Sequence, residues 1–282
     1  MSAYIIPEGA ELLPPPSLAE RHEINELMRT VRAYTHPVIF NTQNPHLGTA
    51  VLLRHGERLF AITAAHNIRD DTSIPFRLGS DSTRAVFYVL STYIHPKYDP
   101  KPTTSKFDLA ILELEPNPAA TAGEIGQLFT GGFGKLPEGE QKIVSNAFVW
   151  VVGYPAELAT SSEGRTVLYQ TAFCTQILHH SAEELSLPYP STVYRMPHDR
   201  VSCEIGETTS SPKGYSGGGV WVATNPPGEL FSPHRHVKLV GIQTHWSRSS
   251  RLARCVPSKV IVEAFRDFIP DAEPNAGSGA KS

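Results

Sequence analysis

Ser216 stands in the run Gly214-Tyr215-Ser216-Gly217-Gly218, a serine among small residues whose backbone can bend tightly around it. On its own such a cluster is equally a flexible turn. Two other segments change its meaning. Thr63-Ala64-Ala65-His66 ends one apolar run, and Phe107-Asp108-Leu109-Ala110-Ile111-Leu112 opens another. A serine hydroxyl is a poor nucleophile near neutral pH and needs a base within hydrogen-bond reach to take its proton. Histidine suits that exchange, and an aspartate can hold the ring in one tautomer. The three segments therefore supply a nucleophile, a base and an orienter.

The rest of the chain must bring them together. With 282 residues, 40% of them apolar, the chain can fill one large all-β domain or two smaller ones. A formal charge of −3 and a pI near 6.5, with scattered Lys and Arg, leave no electrostatic footprint for nucleic acid or anionic lipid. The first residues carry no basic segment followed by an apolar stretch, so they do not read as a secretory signal. Three widely spaced cysteines, Cys174, Cys203 and Cys255, do not make a disulfide framework and read as small buried hydrophobes. A reducing, cytoplasmic setting is the expectation.

Ser17 and Glu20 have capping-box spacing, and Ile24, Leu27, Met28 and Val31 recur at helical spacing, which predicts an amphipathic helix ending near Tyr34. Its stripe packs on the domain body or serves a partner. From Pro37 short β-like runs follow: Val38–Phe40, Gly48–Leu53 and Arg58–Thr63, the last two joined by a hairpin at His55-Gly56. Others span 85–90, 108–114, 143–152, 166–177, 199–205, 219–223 and 237–244. Many strands without intervening helices indicate a sandwich or barrel. A last helix is predicted over 258–268, with Ser258 as its N-cap and Pro270 stopping it. The Gly-, Ala- and Ser-rich tail, 271–282, reads as disordered.

Together the three segments resemble the chymotrypsin-like (trypsin-fold) serine proteases, where Thr-Ala-Ala-His, Asp-Leu-Ala-Ile and Gly-x-Ser-Gly-Gly occur in this order. The likeness covers roughly residues 36–268 and is nearest to the bacterial-type peptidases without disulfides, whose second barrel opens on a segment similar to Gly153-Tyr154-Pro155. It implies an all-β fold of two packed antiparallel β-barrels with an N-terminal and a C-terminal helix. The implied organisation is a 1–35 extension, a 36–145 barrel carrying His66 and Asp108, a 146–270 barrel carrying Ser216, and the 271–282 tail. His66 is then the general base, Asp108 its orienter and Ser216 the nucleophile. The backbone N–H groups of Gly214 and Ser216 form the oxyanion hole, each such donor lowering the barrier by about 3 kcal/mol.

Two departures matter. Tyr215 replaces the aspartate that pairs with a newly cleaved amino terminus in zymogen-activated relatives, so local packing, a ligand or a partner must shape the loop, and latency without a partner is one expectation. Gly219 replaces the usual proline and predicts a more mobile loop. By the same resemblance Ser210 lies at the pocket floor, with nothing acidic to attract Lys or Arg. Gln243, Thr244 and His245 line its wall, where Gln243 or His245 suits a small, polar or acidic substrate side chain.

No HExxH and no Cys or carboxylate cluster accompanies His179-His180 or His234 and His236, and no phosphate loop occurs, so no metal or other cofactor is expected. The expected partners are a protein or peptide substrate and a regulatory protein engaged by the N-terminal helix. The expected function is a serine endopeptidase. Its competitor is a catalytically silent protease-fold module that binds peptide or protein.

Overall fold

The computed structural model describes residues 18–40, 46–68, 76–78, 85–100, 106–117, 120–129, 148–162, 165–177, 179–181, 183–188, 192–196, 204–207, 213–223, 230–247 and 252–269. Ser17, Ser210, Cys203, Pro270 and the tail lie outside these residues.

Helix α1 (Leu18–Tyr34) leads into a sheet of β1 (Thr35–Phe40), β2 (His46–His55), β3 (Arg58–Thr63), β4 (Phe76–Leu78), β5 (Ala85–Phe87), β6 (Val89–Ile94), β7 (Ala110–Leu114) and β8 (Gly123–Glu124). Its order is β5-β4-β1-β2-β3-β7-β6, all antiparallel, with β8 adding a short parallel pairing to β2. After α2 (Ile125–Leu128) come β9 (Phe148–Gly153), the hairpin β10 (Thr160–Ser162) and β11 (Arg165–Val167), and β12 (Gln170–Gln176). Then follow β13 (His179–His180), β14 (Leu185–Pro188), β15 (Thr192–Met196), β16 (Glu204–Glu207) and β17 (Gly219–Ala223). Helix α3 (Pro233–His236), β18 (Val237–Ser247), β19 (Leu252–Pro257) and α4 (Ser258–Phe268) end the fold. The second sheet runs β13-β14-β19-β18-β17-β9-β12-β15-β16 and is antiparallel throughout. Among the described residues neither sheet closes on itself.

Apolar side chains from both sheets meet in one core. Phe60 and Ile62 on β3 join Trp150 and Val152 on β9 and Trp221 on β17, all buried. The two long helices close this layer. Leu27, Met28 and Val31 on α1 are buried in it, and the Tyr34 ring lies 6.3 Å from that of Trp221. The stripe predicted for this helix is thus spent on the molecule's own core. From the other end α4 sets Phe265 edge-on to Phe60, with ring centroids 5.4 Å apart. Each fully buried aliphatic side chain contributes about 1.5–3 kcal/mol, so three on one face hold the helix far more firmly than its backbone propensity would.

Three local details differ from the sequence reading. His55 is the last residue of β2, paired with Arg58, and the turn is Gly56-Glu57, with Gly56 at φ +59°. Pro257, still extended at φ −73° and ψ 156°, is the N-cap of α4, so Ser258 is already helical and makes no capping bond. β7 begins at Ala110 because the Leu109 N–H turns back to the Phe107 carbonyl at 2.8 Å, which leaves Asp108 off the ladder.

Replacing a stripe residue should be costly. Leu27→Ala is expected to lower unfolding free energy by about 2–5 kcal/mol, read as a shift in the urea midpoint at unchanged slope.

Candidate active site

The Thr63-Ala64-Ala65-His66 segment leaves β3 through a single 3₁₀ turn, Ala65–Asn67, which swings His66 away from the core while Asn67 stays buried. Asp108, freed from the β7 ladder, meets it. Its Oδ2 lies 2.6 Å from His66 Nδ1, and its Oδ1 accepts the His66 backbone N–H at 2.9 Å. One carboxylate thus holds both the ring and the main chain of the same residue. The Asp108 side chain is 8% exposed and that of His66 36%, so the acid is sheltered while the ring opens to solvent. A carboxylate on Nδ1 places the neutral ring's proton there and leaves the lone pair on Nε2. Beside the pair, residues 95–98 pack against the same stretch: the His95 N–H donates to the Leu109 carbonyl at 3.0 Å, and the His95 ring stacks on Phe107 at 4.6 Å.

Ser216 lies in the turn before β17, which enters the second sheet between β9 and β18. The loop crosses to the first sheet and is tied there. The Ser216 carbonyl accepts from the Thr49 N–H at 2.8 Å and from Asn67 Nδ2 at 2.8 Å. Thr49 Oγ1 donates to the Gly214 carbonyl at 2.6 Å and accepts the Tyr154 N–H at 3.1 Å. Because Asn67 follows His66 in the chain, one amide side chain fixes the histidine turn to the serine loop. Thr49, Asn67 and Tyr154 carried no chemical signal in the sequence. Their role exists only where the two sheets touch.

The candidate oxyanion donors are set by their own peptide planes. The Lys213 carbonyl accepts from the Ala156 N–H at 2.7 Å, and a planar trans peptide then turns the Gly214 N–H the opposite way. The Tyr215 carbonyl accepts from the Gly218 N–H at 2.7 Å, which aims the Ser216 N–H by the same rule. Among the described residues neither donor has a partner. Gly214 at φ +96° and Gly217 at φ +89° take backbone conformations that side chains resist, and a Cβ on Gly217 would collide with the Thr49 carbonyl. Gly219 is the first residue of β17, paired with Ile242.

Of the wall residues, Thr244 is buried and its carbonyl accepts from Ser216 Oγ at 3.2 Å. Gln243 is buried, its carbonyl accepts the Gly217 N–H at 2.7 Å, and its side-chain Oε1 has no partner among the described residues. His245 is half-buried; burial pushes its pKa down, the positive charge of Arg254 pushes the same way, and Asp108 pushes it up. Arg254, which the sequence reading missed, is its cross-strand partner on β19. It is exposed and has no carboxylate partner among the described residues. Only strand register could reveal it, since nine residues part the two in the chain.

Cys174 and Cys255 are free thiols, their pKa values raised by burial, that of Cys174 to about 12, as suits small apolar side chains rather than nucleophiles.

The Thr49 hydroxyl can be removed at nearly constant shape. Thr49→Val strands the Gly214 carbonyl and the Tyr154 N–H and is expected to cost about 1–3 kcal/mol for each group left unpaired, measured by equilibrium denaturation.

Among curated proteins no relative matches the chain. A family model described as Trypsin matches residues 28–261, which takes in His66, Asp108 and Ser216 and the strands that carry them. With a two-sheet antiparallel β fold, free cysteines and this His-Asp pair beside the serine loop, the chain belongs to the trypsin family of chymotrypsin-like serine proteases.

Proposed function

We propose that the protein is a serine endopeptidase that works through an acyl-enzyme on Ser216. The observation that carries this reading is the His66–Asp108 contact at 2.6 Å, next to a serine loop whose two candidate oxyanion donors are unpartnered among the described residues. Ser216 Oγ attacks the substrate carbonyl carbon as its proton passes to His66 Nε2. The carbonyl oxygen becomes an oxyanion held by the Gly214 and Ser216 N–H groups. Collapse breaks the C–N bond, and the His66 proton goes to the departing amine. Water then attacks the ester, giving its proton to His66, which returns it to Ser216 Oγ as the acid leaves. Asp108 keeps its charge throughout and stabilises the imidazolium.

The pair His245 and Arg254 near His66 favours a substrate with a carboxylate-bearing side chain close to the scissile bond. His245 stays neutral near neutral pH because burial, aided by the Arg254 charge and opposed by Asp108, lowers its pKa, so it offers a hydrogen bond while Arg254 supplies the charge.

A fluorophosphonate probe should label wild type at Ser216, and neither Ser216→Ala nor His66→Ala should be labelled. Absence of label on the wild-type chain would favour the silent binding module. Asp108→Asn should lower kcat by about ten-thousandfold with the fold intact. In a peptide library Arg254→Glu should reduce kcat/KM for glutamate-containing peptides about 10–100-fold relative to their glutamine counterparts, the worth of one charged hydrogen bond. Equal losses on both would remove the acidic preference.

A further inference from the structure

We propose that Tyr215 is a positioning residue that keys the oxyanion loop into shape from inside the second sheet, so that the loop needs neither a freed amino terminus nor a regulatory partner. The proposal rests on the reading of Ser216 as nucleophile.

The side chain of Tyr215 is 1% exposed and is among the largest fully buried groups of the molecule. It lies in an apolar cluster with Val149, Val151, Phe173 and Val220, its ring 5.5 Å from that of Phe173 at 66°. Its hydroxyl pairs with the Thr171 hydroxyl on β12. Such a site accepts little else: withdrawing the ring would leave a cavity as large as the side chain and strand the Thr171 hydroxyl. The fit is close from below as well, because a Cβ on Gly153 would stand 2.7 Å from the Tyr215 ring.

Position then becomes function through the backbone. Gly214 and Tyr215 lie between the two donor peptides, and only Tyr215 carries a side chain. Its own carbonyl, held by the Gly218 N–H, belongs to the peptide whose N–H is that of Ser216. Its N–H belongs to the peptide whose carbonyl is bound by Thr49. With the ring seated, the flanking peptides have their carbonyls fixed at Ala156, Thr49 and Gly218, and both donor N–H groups follow. With the ring out, no other side chain of 213–218 reaches this apolar cluster: Lys213 is exposed, Ser216 is half-buried, and the rest are glycines. The loop thus has a single anchor of this kind, and that anchor is a neutral side chain already in place.

The test uses the full chain, with p-nitrophenyl acetate as substrate and hydrogen exchange across 213–218 as a readout independent of turnover. Tyr215→Ala should raise exchange at Gly217 and Gly218 at least tenfold while β9, β17 and β18 stay protected. It should also lower kcat at least 100-fold, the loss of one oxyanion donor, with KM within threefold. Tyr215→Phe, which keeps the ring, should recover kcat to within about tenfold of wild type. A wild-type chain with an uncleaved amino-terminal fusion should be as active as one without it. Unchanged exchange or kcat in Tyr215→Ala, or activity that depends on freeing the amino terminus, would overturn the proposal. If Tyr215→Ala does not fold, Tyr215→Leu decides: reduced kcat supports the anchor, and wild-type kcat removes it. Should wild type prove inert while Tyr215→Ala still loosens the loop, the ring anchors the loop, but the nucleophile reading and the independence from a partner both fall.

Discussion

Thr49 spends two of its three polar groups on the seam between the two sheets. Its N–H binds the Ser216 carbonyl, its hydroxyl joins the Gly214 carbonyl to the Tyr154 N–H, and its carbonyl accepts from Thr63 Oγ1 at 2.7 Å. Asn67 reinforces it from the histidine turn. Ser216 on one sheet and His66 on the other keep their relation only if the sheets cannot slide. These short bonds, buried where no water competes, make sliding expensive. The apolar layer shared by α1, α4 and both sheets supplies the bulk of the cohesion, but it is non-directional. Direction comes from the seam.

The same division of labour recurs within the serine loop. Its first-sheet side is tied by hydrogen bonds to carbonyls, and its second-sheet side by the buried ring of Tyr215. Those carbonyls are thereby occupied, while the donors at Gly214 and Ser216 have no partner among the described residues. A dipole that already points where charge will develop need not reorient during reaction, which is how such groups lower a barrier.

Around His66, one buried carboxylate performs two tasks. Asp108 could not hold both the His66 ring and its N–H from within a strand, since ladder bonding would fix its backbone and direct the side chain to one face. The three-residue turn at Phe107–Leu109 ends that constraint one step before β7 begins. Nearby, Arg254 brings positive charge beside His245, whose pKa burial lowers.

The residue types for acyl transfer, their order, and the all-β character were legible from the chain, because a nucleophile, a base and an orienter are recognisable by kind and strand periodicity is local. Arg58–Thr63, Gly219–Ala223 and the helix Ser258–Phe268 could be read residue for residue for that reason. The short strands β13, β14 and β15 could not, since they exist through pairing with distant neighbours rather than through their own pattern. Nor could Thr49, Asn67, Thr171 or Arg254, whose bonds or register partners lie elsewhere in the chain: 165 residues separate Thr49 from Gly214 and 149 separate Asn67 from Ser216. Local sequence determined what chemistry the chain carries. Tertiary structure alone decided what holds it, because a hydrogen bond or a buried ring acquires meaning only from the atoms folding places opposite.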